Sequence, residues 1–378
     1  MRSYLRGGIA LLALAGLLAF AGPALASRSP VDGHVYVDGN TTGANTIIGY
    51  DRHADGTLSP IHGSPFFAGG AGTGSSIPSQ GAIQISSDGR YVLAVDAASN
   101  QISVLRITRD GTLRLLPGGV VSSDGSDPVS LAEHDGLVYV ANAGSGDSNY
   151  TGFLLTRGGH LMPLPGSTFP LPDAAQPGDA LFNSTGTNLI GTRVGTMQID
   201  SFTVRGDGRL RVASGSPFPA QGPGPFGSEF RPTDPTQLFV SNAHGGAGAG
   251  TVSAFSVAGD GTLSSIGASP FKDNQTAPCW VELTRDGRFL FTVNTGSANI
   301  SSYAIAPDGT LSLLGSSPAG GLGAASEDAR LSTDGRDLYV NETGAGVIGE
   351  FAVNGGTFTA LGSVPVSTGA GAAGLATN

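Results

Sequence analysis

The sequence predicts an all-β protein: a seven-bladed β-propeller of four-stranded blades, its ring closed by N-terminal and C-terminal strands that share one blade. Three observations carry this expectation. First, the turn Asp-Gly-Thr-Leu stands at Asp55–Leu58, Asp110–Leu113, Asp260–Leu263 and Asp308–Leu311. Its variants at Gly158–Leu161, Asp207–Leu210 and Gly355–Phe358 complete seven copies, about 50 residues apart, the period of a four-stranded blade. Second, 61 glycines and 23 prolines in 378 residues, with only 13% charged residues, describe a turn-dense globular chain and not a disordered tail or a helical array. Third, the repeating region opens on a b-like strand, His34–Val37, and closes on an a-like strand, Gly374–Thr377. Pairing the two leaves no free sheet edge, so the ring needs no caps.

The second full repeat defines the blade. Strand a is expected over Ala82–Ser86, b over Tyr91–Val95, c over Gln101–Ile107 and d over Leu113–Leu116, all short and rich in β-branched residues. A second turn signal, Asp-Gly-Arg, precedes strand b at Asp88–Arg90, Asp286–Arg288 and Asp334–Arg336. Glycine suits the second position of these turns because it adopts positive φ without a Cβ clash. The Asp-Gly turns mark one face of the ring. The opposite, near face carries the long connections Ala68–Gln80 and Ala220–Phe226, where a binding site is expected, because loops on a rigid scaffold usually carry function.

Arg2 and Arg6, the apolar run Ile9–Phe20 and the small-residue sequence Ala24-Leu25-Ala26 read as a signal peptide over residues 1–26. Residues 27–378 then form a single domain, expected to be a monomer secreted to an extracellular or periplasmic compartment, with no membrane attachment after cleavage. The formal net charge of −10 argues against nucleic acid as a partner. A single cysteine, Cys279, excludes an intramolecular disulfide and a cysteine-based zinc site.

Aligning the repeats gives two columns of candidate site residues. The strand-a column reads Gln84, Leu131, Leu181, Glu229, Glu282, Arg330 and Gly374, with Asp179, Trp280 and Asp328 two positions earlier. Innermost strands line the central channel. Neighbouring carboxylates there push one pKa toward that of a general acid or base, and Arg330 can stabilise an oxyanion; a salt-bridged spacer is the structural alternative. The strand-b column reads Asp96, Asn142, Arg193, Asn242, Asn294 and Glu342, residues expected to cap turns or, alternatively, to offer oxygen ligands to calcium. No cofactor is required by any motif, and no calcium loop of consecutive ligands is present. Of six histidines, His244 follows strand b on the near face and is the acid/base candidate.

The repeat Phe289–Ser297, Ile300–Ile305, Asp308–Leu311 resembles that of the lactonase-type seven-bladed propellers, which include 6-phosphogluconolactonases and 3-carboxymuconate-lactonizing enzymes and grade into YVTN-type surface propellers. The resemblance implies an exported lactone hydrolase. Its partner is then a small lactone or carbohydrate-like ligand, and export favours an unphosphorylated one. Catalysis is expected from Glu229, Glu282, Arg330 and His244, and substrate contacts from Asp179, Trp280, Asp328, Arg193, Asn242, Asn294 and Glu342. The family's Gly-Pro-Arg-His approach to one strand a is replaced here by Gly222–Gly227, whereas the Asn-Glu that ends a strand b survives as Asn341-Glu342. The alternative is a non-catalytic envelope-binding propeller of YVTN type.

Overall fold

The computed structural model describes residues 29–319, 325–368 and 371–378, so the expected signal peptide lies outside the described residues. Seven antiparallel sheets form the ring, and among the described residues helical structure is confined to short 3-10 turns. Blade 1 comprises strands Ile83–Ile85 (a), Tyr91–Asp96 (b), Gln101–Ile107 (c) and Leu113–Ser122 (d), close to the expected limits. Blades 2 to 6 follow, with strands a at Pro128–His134, Pro177–Phe182, Pro225–Arg231, Pro278–Leu283 and Ser326–Leu331. In blade 7 strand a is Ala373–Thr377, paired antiparallel with strand b, Val31–Asp38. The closing register sets Tyr36 against Ala376, and His34 and Asn378 exchange two hydrogen bonds of 2.8 and 3.1 Å. Each strand a packs on the next, from blade 1 round to blade 7 and back to blade 1.

The recurrent turns work as their chemistry requires. Gly56, Gly111, Gly261 and Gly309 have φ between 75° and 86°, and the preceding aspartates each accept the backbone N–H of the threonine two residues on. Beside them, buried tyrosines fasten blade to blade. Tyr36, Tyr139 and Tyr339 donate to the carbonyls of Gly111, Gly208 and Gly56, each in the following blade's c–d turn. Burying such a ring contributes roughly 2–3 kcal/mol, and the bonded hydroxyl avoids a desolvation penalty.

Four blades depart from the four-strand expectation. In blades 2, 3, 4 and 7 the outer strand breaks, and a fifth two-residue strand pairs with strand c. Three of the breaks carry Ser-Pro-Phe, at Ser64–Phe66, Ser216–Phe218 and Ser269–Phe271, and blade 2 carries Ser167-Thr168-Phe169. The serine hydroxyl accepts a strand-c N–H in all four, from Gly49, Gly152, Ser201 and Ala254. Proline has no N–H to give a ladder, which ends the regular strand in three of them.

Candidate functional site

The strand-a carboxylates and guanidinium meet in the central channel. Arg330 Nη1 stands 2.6 Å from Glu282 Oε1 and 3.4 Å from Glu229 Oε1, and its Nε donates to the Leu375 carbonyl at 3.2 Å. The other Glu282 oxygen accepts the Leu331 N–H at 3.0 Å, so both are engaged. Desolvation, then the neighbouring Glu282 carboxylate, push the Glu229 pKa up, to about 8, against the pull of Arg330. Gln84, Arg285 and Thr377 complete a chamber of about 190 Å³ around these groups. The chamber opens at the ends of strands a, on the Asp-Gly face.

Two members of the expected column are displaced. Leu131 is buried in the core opposite Val140, and the channel position of blade 2 belongs to Ala132, which pairs with Tyr139. In blade 7 Ala376, not Gly374, lines the chamber. The a–b turn of blade 2 is shorter: Ala132 precedes its partner Tyr139 by seven residues, where Leu181, Glu282 and Arg330 precede theirs by nine. In blade 7 strands a and b come from opposite ends of the sequence, so no turn sets the count between them.

The residues two positions earlier are ties between blades and not free ligands. Asp179 accepts Ser228 Oγ at 2.6 Å, the Ser228 N–H at 3.0 Å and Ser130 Oγ at 3.3 Å, joining blades 2, 3 and 4, and full burial pushes its pKa up to about 7. Asp328 accepts the Ala329 and Leu375 N–H groups at 2.8 and 2.7 Å, and burial raises its pKa to about 6. Trp280 is buried and donates Nε1 to the Ser79 carbonyl at 2.9 Å.

That last contact belongs to a plug. The connection leading into blade 1 dips across the near-face mouth of the channel and binds five blades. Ser76 Oγ donates to Glu327 at 2.6 Å, and Ser79 Oγ to the Val129 carbonyl at 2.5 Å. Gln80 donates its side chain to the Ser228 carbonyl at 3.1 Å, accepts the Val281 N–H at 3.1 Å, and sends its backbone N–H to Gly178. The plug stands between the Glu–Arg chamber and the near face.

Above the plug lies a second cavity, of about 450 Å³, the range of small-molecule sites. Its floor is apolar, with Ile77, Pro78, Pro177, Val194 and Phe226; its rim carries Asp127, Gln176 and His244. Phe226 packs edge-on against Trp280 with ring centroids 5.4 Å apart, so the plug and the floor support each other. The expected set of four catalytic residues is therefore divided. Glu229, Glu282 and Arg330 come together on one side of the plug, and His244 stands on the other. Burial also pushes Asp127 upward from the usual carboxylate range.

The strand-b column does not converge on one point. Arg193 forms a two-pronged pair with Asp200, both contacts at 2.6 Å, while Asn142, Asn242 and Asn294 donate to Asn149, Ser253 and Ser301 at 2.8–2.9 Å. Asp96 accepts Ser103 Oγ. Each side chain reaches sideways to strand c of its own blade, where sequence reasoning expected turn caps. Glu342, buried at the corresponding place, has its pKa raised to about 7 by desolvation. Glycines in the near-face loops let the backbone run over these amides: a Cβ on Gly125 or Gly222 would come within 2.5 and 2.7 Å of Asn142 and Asn242. Among the described residues no group of three or more His, Cys, Asp or Glu side chains is placed to hold a metal ion.

Residues 230–372, from the end of strand a in blade 4 through blade 6, match the family model described as Lactonase, 7-bladed beta-propeller. The chain is a seven-bladed propeller whose residues 230–372 are similar to the lactonase family. A candidate 6-phosphogluconolactonase of Bacteroides uniformis is 22% identical, with a TM-score of 0.72 over 90% of this chain and 98% of its own. The periplasmic gluconolactonase of Pseudomonas aeruginosa is 18% identical, with a TM-score of 0.70 over 91% of this chain and 98% of its own. At these identities the likeness establishes the shared fold. No curated protein matches the sequence significantly.

Sequence reasoning on this propeller missed Asp127, Gln176 and the plug. The first two sit in loops immediately before a strand a, outside both columns. The only available signal for the plug was the length of the Ala68–Gln80 connection.

Proposed function

We propose that this lactonase-type propeller is an exported lactone hydrolase working at the near-face cavity on an uncharged lactone. The carrying observation is the cavity itself: an apolar floor with Asp127, Gln176 and the imidazole of His244 at its edge, three side chains that make no hydrogen bond among the described residues. No Lys or Arg lines it, and Asp127 stands at the rim, so a phosphate dianion would meet a carboxylate and no cation. The gluconolactonase and 6-phosphogluconolactonase names of structural relatives support lactone chemistry, and the lining favours the unphosphorylated class.

In the reaction His244 removes a proton from water as the oxygen attacks the lactone carbonyl. The ring C–O bond breaks, and the imidazolium returns the proton to the leaving alkoxide, giving a hydroxy acid. The test is acid release from a panel of uncharged, phosphorylated and aliphatic lactones, with His244→Ala and Glu229→Gln compared. His244→Ala should cost roughly 100-fold or more in kcat, and Glu229→Gln less than about twofold. The reverse ranking would move the chemistry to the Glu–Arg chamber.

One observation favours the alternative of a non-catalytic binding propeller: among the described residues no side chain hydrogen-bonds the His244 ring to orient it as a base. Ligand binding with no acid release from any lactone would decide for that reading.

A further inference from the structure

In five blades the residue immediately before strand a has left-handed backbone: Asp127, Gln176, Gly224, Ala277 and Ala325, with φ of 53°, 46°, 67°, 54° and 41°. The conformation is architectural. It turns each carbonyl toward the start of the b–c loop, where it accepts the N–H of Ala143, Val194, Ala243 and Thr295 from the first four, and the Thr343 hydroxyl from Ala325. Glycine or alanine fulfils this role in three blades, so the fold asks nothing of the side chain. Only blades 2 and 3 place a polar chain there, and both project into the near-face cavity. A non-glycine residue in this region costs about 1 kcal/mol. Neither side chain returns it through a bond to the protein: Asp127 is held by its backbone, its N–H on Asn100 Oδ1 at 2.8 Å, and among the described residues neither polar head has a hydrogen-bond partner.

We propose that Asp127 and Gln176 are the specificity residues of the cavity, and that together they bind the hydroxyl groups of a polyhydroxylated ring. The inference rests on the near-face reading above. The two heads come from adjacent blades and line the same cavity. A carboxylate takes two hydroxyl protons, and a carboxamide both donates and accepts, the pairing that vicinal hydroxyls require. Pro177, Val194 and Phe226 below offer an apolar surface to the C–H face of such a ring. An aliphatic lactone would fill the floor but leave the rim unpaired. The ligand class is therefore a neutral sugar-type lactone.

The test separates recognition from hydrolysis. Calorimetric titration with D-glucono-δ-lactam, a neutral analogue that resists hydrolysis, should show binding to the mature protein. Asp127→Asn and Gln176→Leu should each weaken it about tenfold or more. Asn tolerates left-handed backbone at least as well as Asp, so Asp127→Asn should fold normally. In hydrolysis, the same variants should lower the kcat/KM ratio of glucono-δ-lactone over δ-valerolactone by about tenfold, mainly through KM. Absence of lactam binding, or equal binding by wild type and both variants, would overturn the inference. Lactam binding sensitive to both variants, with no lactone turned over, would sustain it while the hydrolase reading falls.

Discussion

The two sides of the plug use polar residues in opposite ways. Below it, Glu282, Asp328 and Asp179 are buried, Arg330 is largely so, and all four are bonded to strands of neighbouring blades, so their charges hold the ring together. Above it, Asp127, Gln176 and His244 are exposed, and among the described residues their side chains have no hydrogen-bond partner. An ion cluster in a narrow channel looks catalytic in a sequence because both roles demand the same residue types. What separates them is commitment: a group already saturated by the fold has little left for a ligand.

The sharpest way to break this comparison is to remove the central cation. Arg330→Met leaves Glu229, Glu282 and Asp328 facing one another without compensation and should destabilise the protein by about 3–5 kcal/mol in urea unfolding. A change below about 1 kcal/mol would mean that the cluster is not structural and would return it to candidacy as the catalytic centre.

Next in size is the plug. Gln80→Ala removes the side-chain contacts to Ser228 and Val281 and leaves their buried backbone groups unpaired, for about 1–3 kcal/mol. The variant should also raise the hydrogen-exchange rates of the Val281 and Leu131 amides.

The pH dependence follows from groups below the plug. The folded-state pKa values of Asp179, Asp328 and Glu229 are raised to about 7, 6 and 8, above their unfolded values. The folded state therefore holds more protons than the unfolded one through this range. The stability tied to these groups is fully present below about pH 4 and is lost as pH rises through the folded pKa values, between about 6 and 8. Thermal scans should show a Tm that falls from pH 5 to pH 8.5 by several degrees, with a smaller fall in Asp179→Asn. A Tm rising over that interval would contradict the assignment.

The smallest effect is expected above the plug. His244→Ala and Asp127→Asn should each change unfolding free energy by less than about 0.5 kcal/mol, as exposed groups without partners do. Losses above 2 kcal/mol would show that the rim is part of the framework after all.

The sequence by itself determined the ring. Seven Asp-Gly-type turns about one blade apart, and half-blades at the two ends, leave a closed propeller as the arrangement that pairs every inner edge. The same repeat brought Glu229, Glu282 and Arg330 to one level, because equivalent strand positions face the same axis in successive blades. The fifth strands were legible only in retrospect, from Ser-Pro-Phe. Tertiary structure alone decided which side of the channel these residues face and what already binds them. A shorter a–b turn displaced Leu131, the pairing of the two end strands displaced Gly374, the strand-b amides turned to strand c, and the segment ending at Gln80 folded across the mouth to separate His244 from the carboxylates. The plug and the ring depend on contacts between residues far apart in the sequence, such as Gln80 with Val281 and Tyr339 with Gly56. Periodicity fixes which residues are equivalent; only packing in three dimensions fixes which are free.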